Sequence, residues 1–391
     1  MTNILLSDDS RGFIECLREL EYNINLNENE KTLEIYGGVS ENKNKITRIN
    51  VRSAGTAARF LTAMLAAYNT GEYIIDASKQ MRSRPMKVLT DALVNLGCNI
   101  EFLENPGSLP YKLTSRGLSG GEIIIDPKQS SQFTSALLMT GCLHKNNLII
   151  KTSGKETSKT YIDITLKMMK DFGVNVNTPE DGVYIVNYGQ KYKPGLYNIE
   201  PDISGACYFY AAAAITGGSV LVRDVYYSSM QGDIKFLEVL EGMGCETKET
   251  DEGIIFKGPE NGRCKGVEVD MNGFSDQAMT LAAIAPFASS PVIIKNIGHI
   301  KYQESDRIGA ILTELTKLGI KCEELPDIEG IKIYPGNFNN SDIKLIETYE
   351  DHRMAMAFAL IGLRVKNIRI ANPSCVSKTF EDYFGVFEGI Y

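Results

Sequence analysis

Four cations stand where a helix disfavours them. Arg59, Lys159, Arg307 and Arg353 lie at or near the openings of predicted helices, the end where the dipole favours negative charge. A cation there makes sense when an anion shares the site. Backbone N–H groups at a helix start bind phosphate or carboxylate, and a guanidinium adds bidentate pairing. For one such residue, pairing with a neighbouring acid is the plainer explanation. Four recurrences at the same place in a repeat shift the balance toward a shared anion. The surrounding strings carry matching groups. SAGTAARFL (53–61) and SSQFTSALL (130–138) each offer small hydroxyl or amide donors at a helix opening, though each alone reads as a simple cap. YQESDR (302–307) and TYEDHRMAM (348–356) are dense polar strings beside apolar helices. Charge runs are usually solvated faces, but acid mixed with Arg at a helix opening points to a site. His299 and His352 read as structural, His352 as a core residue that orients others, and His144 in the loop GCLHKNN as plain surface.

The elements that must position these groups come from an internal repeat. Amphipathic helices end at Glu21, Gly97, Gly173, Gly244 and Gly319, 71 to 76 residues apart. Apolar residues stand one and four positions before each mark, on one helical face: Leu20 and Leu17, Leu96 and Leu93, Phe172 and Met169, Met243 and Leu240, Leu318 and Leu315. Four of the marks are Gly, which suits a left-handed turn after a helix. An alternating strand follows each mark, then a partner strand, so each pair reads as a hairpin. About forty residues before each mark past the first, and again in the sixth copy, lies a second helix, small, apolar and rich in Ala, Gly and Ser, opened by polar caps. These helices start near Ala54, Ser130, Asp202, Ser275 and Asp351. Each unit therefore reads helix, strand, helix, strand, strand, about six times over. The sixth copy, SKTFEDYFGVFEGIY, is degenerate, and the first begins part-way through, at its marked helix. Two groups of three units, with a boundary near Glu200-Pro201, give an α/β chain of two domains.

Composition removes several function classes. Lys+Arg number 41 against 49 Asp+Glu, a net charge of −8, which argues against a nucleic-acid binder relying on bulk positive charge. No apolar run is long and clean enough to span a bilayer; the best, near 207–215, is short and Ala-rich. MTNILLSDDSRGF has no basic region followed by an apolar stretch, so it reads as no signal peptide. Eight scattered cysteines without a CxxC pair fit buried thiols of a reducing cytosol. With only three histidines, a multi-His metal site is not expected.

These blocks, in this order, resemble the 5-enolpyruvylshikimate-3-phosphate synthase (3-phosphoshikimate 1-carboxyvinyltransferase) family. AGTAARFL, RSRPM, SSQFTSALLM, SKTYIDITL, EPDISGACYF, SMQGD, QESDRI, YEDHRMAMAF and SKTFEDYF carry the likeness, which runs over residues 1–391. The sister family of UDP-N-acetylglucosamine enolpyruvyl transferases shares the fold but lacks the DHRMAM block. The resemblance implies a two-domain, inside-out α/β barrel-like fold, with domains 1–199 and 200–391, three units each, and small-helix N-termini converging on a cleft between them. It implies transfer of the enolpyruvyl group of phosphoenolpyruvate to the 5-hydroxyl of shikimate 3-phosphate by addition and elimination. It implies a cytoplasmic monomer of the shikimate pathway, sensitive to glyphosate, with no cofactor, metal, nucleic acid or membrane partner. Ser130, Ser131, Gln132, Ser158, Asp276, His299 and Gln303 match the shikimate 3-phosphate site. Gly55, Arg84, Gln132, Arg307, Arg353 and Lys378 match the phosphoenolpyruvate site. Asp276 matches the carboxylate that takes the 5-hydroxyl proton, and Glu304 an acid that protonates the methylene carbon.

Two departures stand out. Gln303 replaces the family's usual Lys. Family members also begin a few dozen residues earlier, with a Pro-Gly-x-Lys-Ser-x-Ser-x-Arg segment opening the helix that the first unit lacks here. Two alternatives to a working synthase follow: a truncated homologue that binds phosphorylated anions without turnover, and a transferase using another acceptor.

Overall fold

A computed structural model describes residues 1–37, 45–128, 130–154, 156–338 and 343–390. All five marked helix ends close the same way. Glu21, Gly97, Gly173, Gly244 and Gly319 have φ of 65°, 103°, 88°, 101° and 82°. Each donates its N–H to the carbonyl three residues back, and the next residue donates to the carbonyl five back, as Gly97 to Val94 and Cys98 to Leu93. That pair of bonds satisfies carbonyls the helix would leave orphaned. The helices so ended are Asp8–Glu19, Lys87–Asn95, Lys159–Asp171, Phe236–Gly242 and Arg307–Lys317. Each predicted hairpin follows, for example Asn99–Phe102 antiparallel to Tyr111–Ser115 and Glu246–Thr250 to Gly253–Lys257.

The unit has one element more than the sequence reading assigned. Before four of the small helices lies a short strand that runs parallel to the strand after it: Ile46–Asn50 with Gly71–Asp76, Gly121–Ile125 with Leu148–Thr152, Glu268–Asp270 with Val292–Lys295, and Lys344–Ile346 with Ile368–Ile370. Each small helix is thus the crossover of a strand-helix-strand unit, as parallel pairing demands. Its N-terminus follows the carboxyl end of the leading strand, where α/β folds bind ligands. The hairpin's second strand then pairs antiparallel with the strand after the crossover, giving the order Ile46–Asn50, Gly71–Asp76, Tyr111–Ser115, Asn99–Phe102 in the first complete sheet. The described strands form six separate small sheets of two to four strands.

Two compact units result, Met1–Ile199 and Glu200–Tyr391. The core of the first packs Leu61 and Leu65 of the helix Gly55–Ala67 and Phe133 and Leu137 of Ser131–Thr140 with Ile75, Tyr111 and Ile150 from the sheets. That of the second is built on Ile203–Thr216, in which twelve of fourteen residues are buried. Its Ala run lets neighbouring backbones approach closely, as a helix hydrophobic all round must allow. Ala278–Ile284 and His352–Ala359 complete that interior with Leu281 and Phe358.

Candidate active site

In the first unit the predicted residues gather around Gly55, the first residue of its helix. A methyl added there would lie 2.8 Å from Arg84 Nη1 and 2.9 Å from Arg59 Nη1, so the missing side chain leaves room for two buried guanidiniums. Arg59 donates through Nη1 to Gln132 Oε1 and sits over the Phe133 ring at 5.1 Å. Gln132 Nε2 donates to Thr56 Oγ1 at 3.4 Å, so one amide ties together the starts of two small helices. Ser130 caps the second of these, its Oγ accepting from the Gln132 N–H at 3.2 Å, and Ser131 is buried in its first turn. Ser158, expected as a helix-start donor, takes a left-handed φ of 51° before Lys159–Asp171 and makes no side-chain cap bond. That helix is fastened to Ser131–Thr140 by Thr165 Oγ1, which donates to Ser135 Oγ at 2.8 Å. Lys159, half-exposed, pairs with Asp163 at 2.8 Å; for this cation the plain surface pair is what the structure has.

The second unit's cluster is denser. Arg307, 1% exposed at the first position of its helix, donates Nη1 to Asp276 Oδ1 at 2.9 Å, Nη2 to Glu304 Oε2 at 2.9 Å and Nε to Asp351 Oδ2 at 2.8 Å. Its Nη1 also donates to Gln303 Oε1. Arg353 donates Nη2 to the other oxygen of Asp276 at 3.0 Å and approaches Ser204 Oγ at 3.5 Å; Ser204 in turn donates to Asp233 Oδ2. Asp276 therefore bridges both arginines. Asp351 caps the helix His352–Ala359, accepting from the Arg353 N–H at 3.0 Å and from Ser305 Oγ at 3.0 Å. Lys378 is buried at the end of the 3₁₀ turn Pro373–Lys378.

Burial and charge set the protonation states. Burial pushes the Asp233 carboxyl up to about 7, with Asp276 adding to the rise and Arg353 opposing it. Burial likewise raises Asp202, against Arg353. For Asp351 burial would do the same, but the charge and hydrogen bonds of Arg307 outweigh it and the carboxyl lies below its ordinary value. Burial takes His299 down to about 4, and it shares a 2.8 Å hydrogen bond through Nε2 with Ser275 Oγ. His352 falls to about 3 by burial, Asp351 opposing and Arg353 and Lys378 contributing. Both imidazoles are neutral and add no positive charge to this cluster.

Chemically, both arginines already hold the Asp276 carboxylate, so an incoming phosphate or carboxylate would compete with Asp276 for the same guanidiniums. Sequence reasoning read Asp351 as the cap of its helix, which it is, but gave it no bond to Arg307 and assigned no role to Ser204 or Asp233. The blocks EPDISGACYF, SMQGD and YEDHRMAMAF contain them, but nothing local marks their bonds to residues 29 to 149 positions away. His144, read as surface, is 4% exposed, and burial lowers it to about 4.

Known proteins fix the class of fold first. The structure of EPSP synthase from Acinetobacter baumannii, solved at 2.37 Å, superposes with a TM-score of 0.78 at 24% identity, covering 99% of this chain and 88% of that one. A second structure of EPSP synthase from that organism gives 0.77 at 23% identity. At that identity the likeness establishes the fold. The chain belongs to the EPSP synthase (3-phosphoshikimate 1-carboxyvinyltransferase) family, which it matches over residues 1–387. It is 44% identical over 387 residues to the 3-phosphoshikimate 1-carboxyvinyltransferase of Nostoc punctiforme, spanning 99% of this chain and 89% of that protein. It is 41% identical over 393 residues to that of Shewanella loihica, spanning 100% and 90%. Among the described residues no helix is long and apolar enough to cross a membrane.

Proposed function

We propose that this chain transfers the enolpyruvyl group of phosphoenolpyruvate to the 5-hydroxyl of shikimate 3-phosphate and releases inorganic phosphate, a step of aromatic amino-acid biosynthesis. Family membership supports the reaction class. The observation that carries the residue roles is the Asp276 carboxylate bridging Arg307 and Arg353 at 2.9 and 3.0 Å. When the phosphoenolpyruvate anion takes the two guanidiniums, Asp276 is released to accept the 5-hydroxyl proton. The 5-oxygen attacks C2 while Glu304, held by Arg307 at 2.9 Å, gives a proton to C3. The resulting tetrahedral centre carries the phosphate, the carboxylate and the new ether. Loss of a proton from the new methyl to Glu304 and cleavage of the bond from C2 to the phosphate oxygen release phosphate, with Asp276 returning its proton to that departing oxygen. Arg84, Arg307, Arg353 and Lys378 compensate the charge that addition and departure develop. Gly55 leaves the space in which that anion lies against Arg84. Ser130, Ser131, Gln132, Ser158, His299 and Gln303 hold shikimate 3-phosphate. The chain works as a cytoplasmic monomer.

The test is phosphate release that requires both substrates, with the enolpyruvyl ether identified by mass spectrometry. Phosphate release with a different acceptor and none with shikimate 3-phosphate would overturn the assignment of substrate. Calorimetric binding of shikimate 3-phosphate without any product would overturn the assignment of activity.

A further inference from the structure

A buried acid two helical turns from Arg307 has no part in the chemistry above. Glu314, 0% exposed, lies on the same helix, Arg307–Lys317. Positions seven apart share a helix face, and both grip one short segment. Glu314 Oε1 accepts from Tyr349 Oη at 2.7 Å, and Oε2 accepts from the Glu347 N–H at 3.2 Å and from Lys317 Nζ at 2.6 Å. Arg307 grips the far end of the segment through Asp351. Between the two grips, Tyr349 and Glu350 hold φ of 55° and 57°, two successive non-glycine residues in the left-handed region. Such a pair persists only where its surroundings over-determine it. The turn closes with the Asp351 N–H donating to the Thr348 carbonyl at 2.8 Å. It thereby aims the fully buried Asp351 at Arg307 and at the Arg353 N–H.

We infer that Glu314 is a positioning residue: with Tyr349 it clamps the turn at 347–351 so that Asp351 holds Arg307 and Arg353 in register for the phosphoenolpyruvate anion. The inference rests on the function proposed above for its kinetic consequence, but the clamp itself has a direct readout. Tyr349→Phe removes one hydroxyl from a side chain that is 41% exposed, so the fold survives. Glu314→Gln turns one carboxylate oxygen into an amide that cannot accept from the Glu347 N–H and the Lys317 ammonium while still accepting from Tyr349. Lys317→Ala, which leaves both grips in place, is the reference.

Hydrogen exchange at the Asp351 and Arg353 amides should quicken at least tenfold in Tyr349→Phe and Glu314→Gln relative to Lys317→Ala. In steady state, KM for phosphoenolpyruvate should rise about fivefold or more, with KM for shikimate 3-phosphate within twofold of the parent. Unaltered exchange at those amides overturns the inference, and so does an equal rise in both KM values, which a merely structural role would give. A parent chain without turnover counts against the proposed function, and the exchange measurement then decides the clamp by itself.

Discussion

Asp276 reaches Arg353 across 77 positions of sequence, its Oδ2 accepting from Nη2 at 3.0 Å, while its Oδ1 holds Arg307 at 2.9 Å. In the proposed site, one carboxylate so placed stands in for the substrate anion, and under the same proposal its release makes a base available. Removing its charge while keeping its shape should therefore separate the two functions. Asp276→Asn should lower kcat by about 10²–10⁴, the usual worth of a positioned proton acceptor. KM for phosphoenolpyruvate should not rise, because the amide no longer competes as an anion for the guanidiniums. Unchanged kcat with weakened phosphoenolpyruvate binding, read from initial rates, would mean that the carboxylate only organises the arginines.

Gly55 is defined by what a side chain would meet. Its Cβ would fall 2.8 Å from Arg84 Nη1 and 2.9 Å from Arg59 Nη1, closer than unstrained contacts allow. Gly55→Ala must push one or both guanidiniums aside. Phosphoenolpyruvate, which relies on Arg84 in the proposed site, should lose about tenfold in KM, or about 1.4 kcal/mol. Glyphosate inhibition should weaken by a larger factor than substrate binding. Inhibition constants for Gly55→Ala no higher than for the parent would refute the crowding argument.

His144 follows the turn Gly141–Leu143 and is 4% exposed, with no hydrogen-bond partner for either ring nitrogen among the described residues. Burial lowers it to about 4. Between the ordinary imidazole value of 6.5 and about 4 the unfolded chain carries a proton that the folded chain refuses. Stability contributed by neutral His144 is thus fully present above that window and is lost as pH falls through it. For one such group the loss at pH 5 is about 2 kcal/mol. His144→Leu should remove it, so urea unfolding of parent and variant should diverge by about that amount between pH 7.5 and pH 5. Parallel stability profiles would mean that the imidazole is protonated in the folded state. The comparison is between two chains, so the opposing proton uptake by Asp233 cancels.

Much of this architecture could be read from residue order because the signals are local. The marked helix ends announce themselves by Gly after a Leu-rich face, and the hairpins by alternation over four or five residues. The leading strands, Glu268–Asp270 and Lys344–Ile346 among them, went unread because they are three to five residues long and pair in parallel across a helix, so no turn residue advertises the partner. Glu304, Arg307 and Arg353 were legible as acid and Arg mixed at helix openings, and Asp276 only through the family resemblance. The partners of Arg307 and Arg353 were not: Asp351 lies 44 positions from Arg307, and Ser204 lies 149 from Arg353. Only tertiary packing brings such pairs within reach. His144 was misjudged for the reverse reason, since a polar loop sequence says nothing of the core packed over it.

The repeat also supplies a stability comparison free of the chemistry. Of the five helix ends with the same two closing hydrogen bonds, four carry Gly and one carries Glu21, at φ 65°. A side chain in that conformation is strained by roughly 1 kcal/mol relative to Gly, partly offset by the greater freedom Gly gives the unfolded chain. Glu21→Gly should therefore stabilise the chain by about 0.5–1 kcal/mol. Gly97→Ala should destabilise it by about 1 kcal/mol, although a Cβ at Gly97 has no atom within 4 Å to strike. Because sterics are absent there, the φ preference alone is on trial. Urea unfolding of both variants reads opposite signs if the left-handed turn governs these ends. A Glu21→Gly chain no more stable than its parent would mean that the Glu21 side chain earns its place through contacts that outweigh its backbone strain.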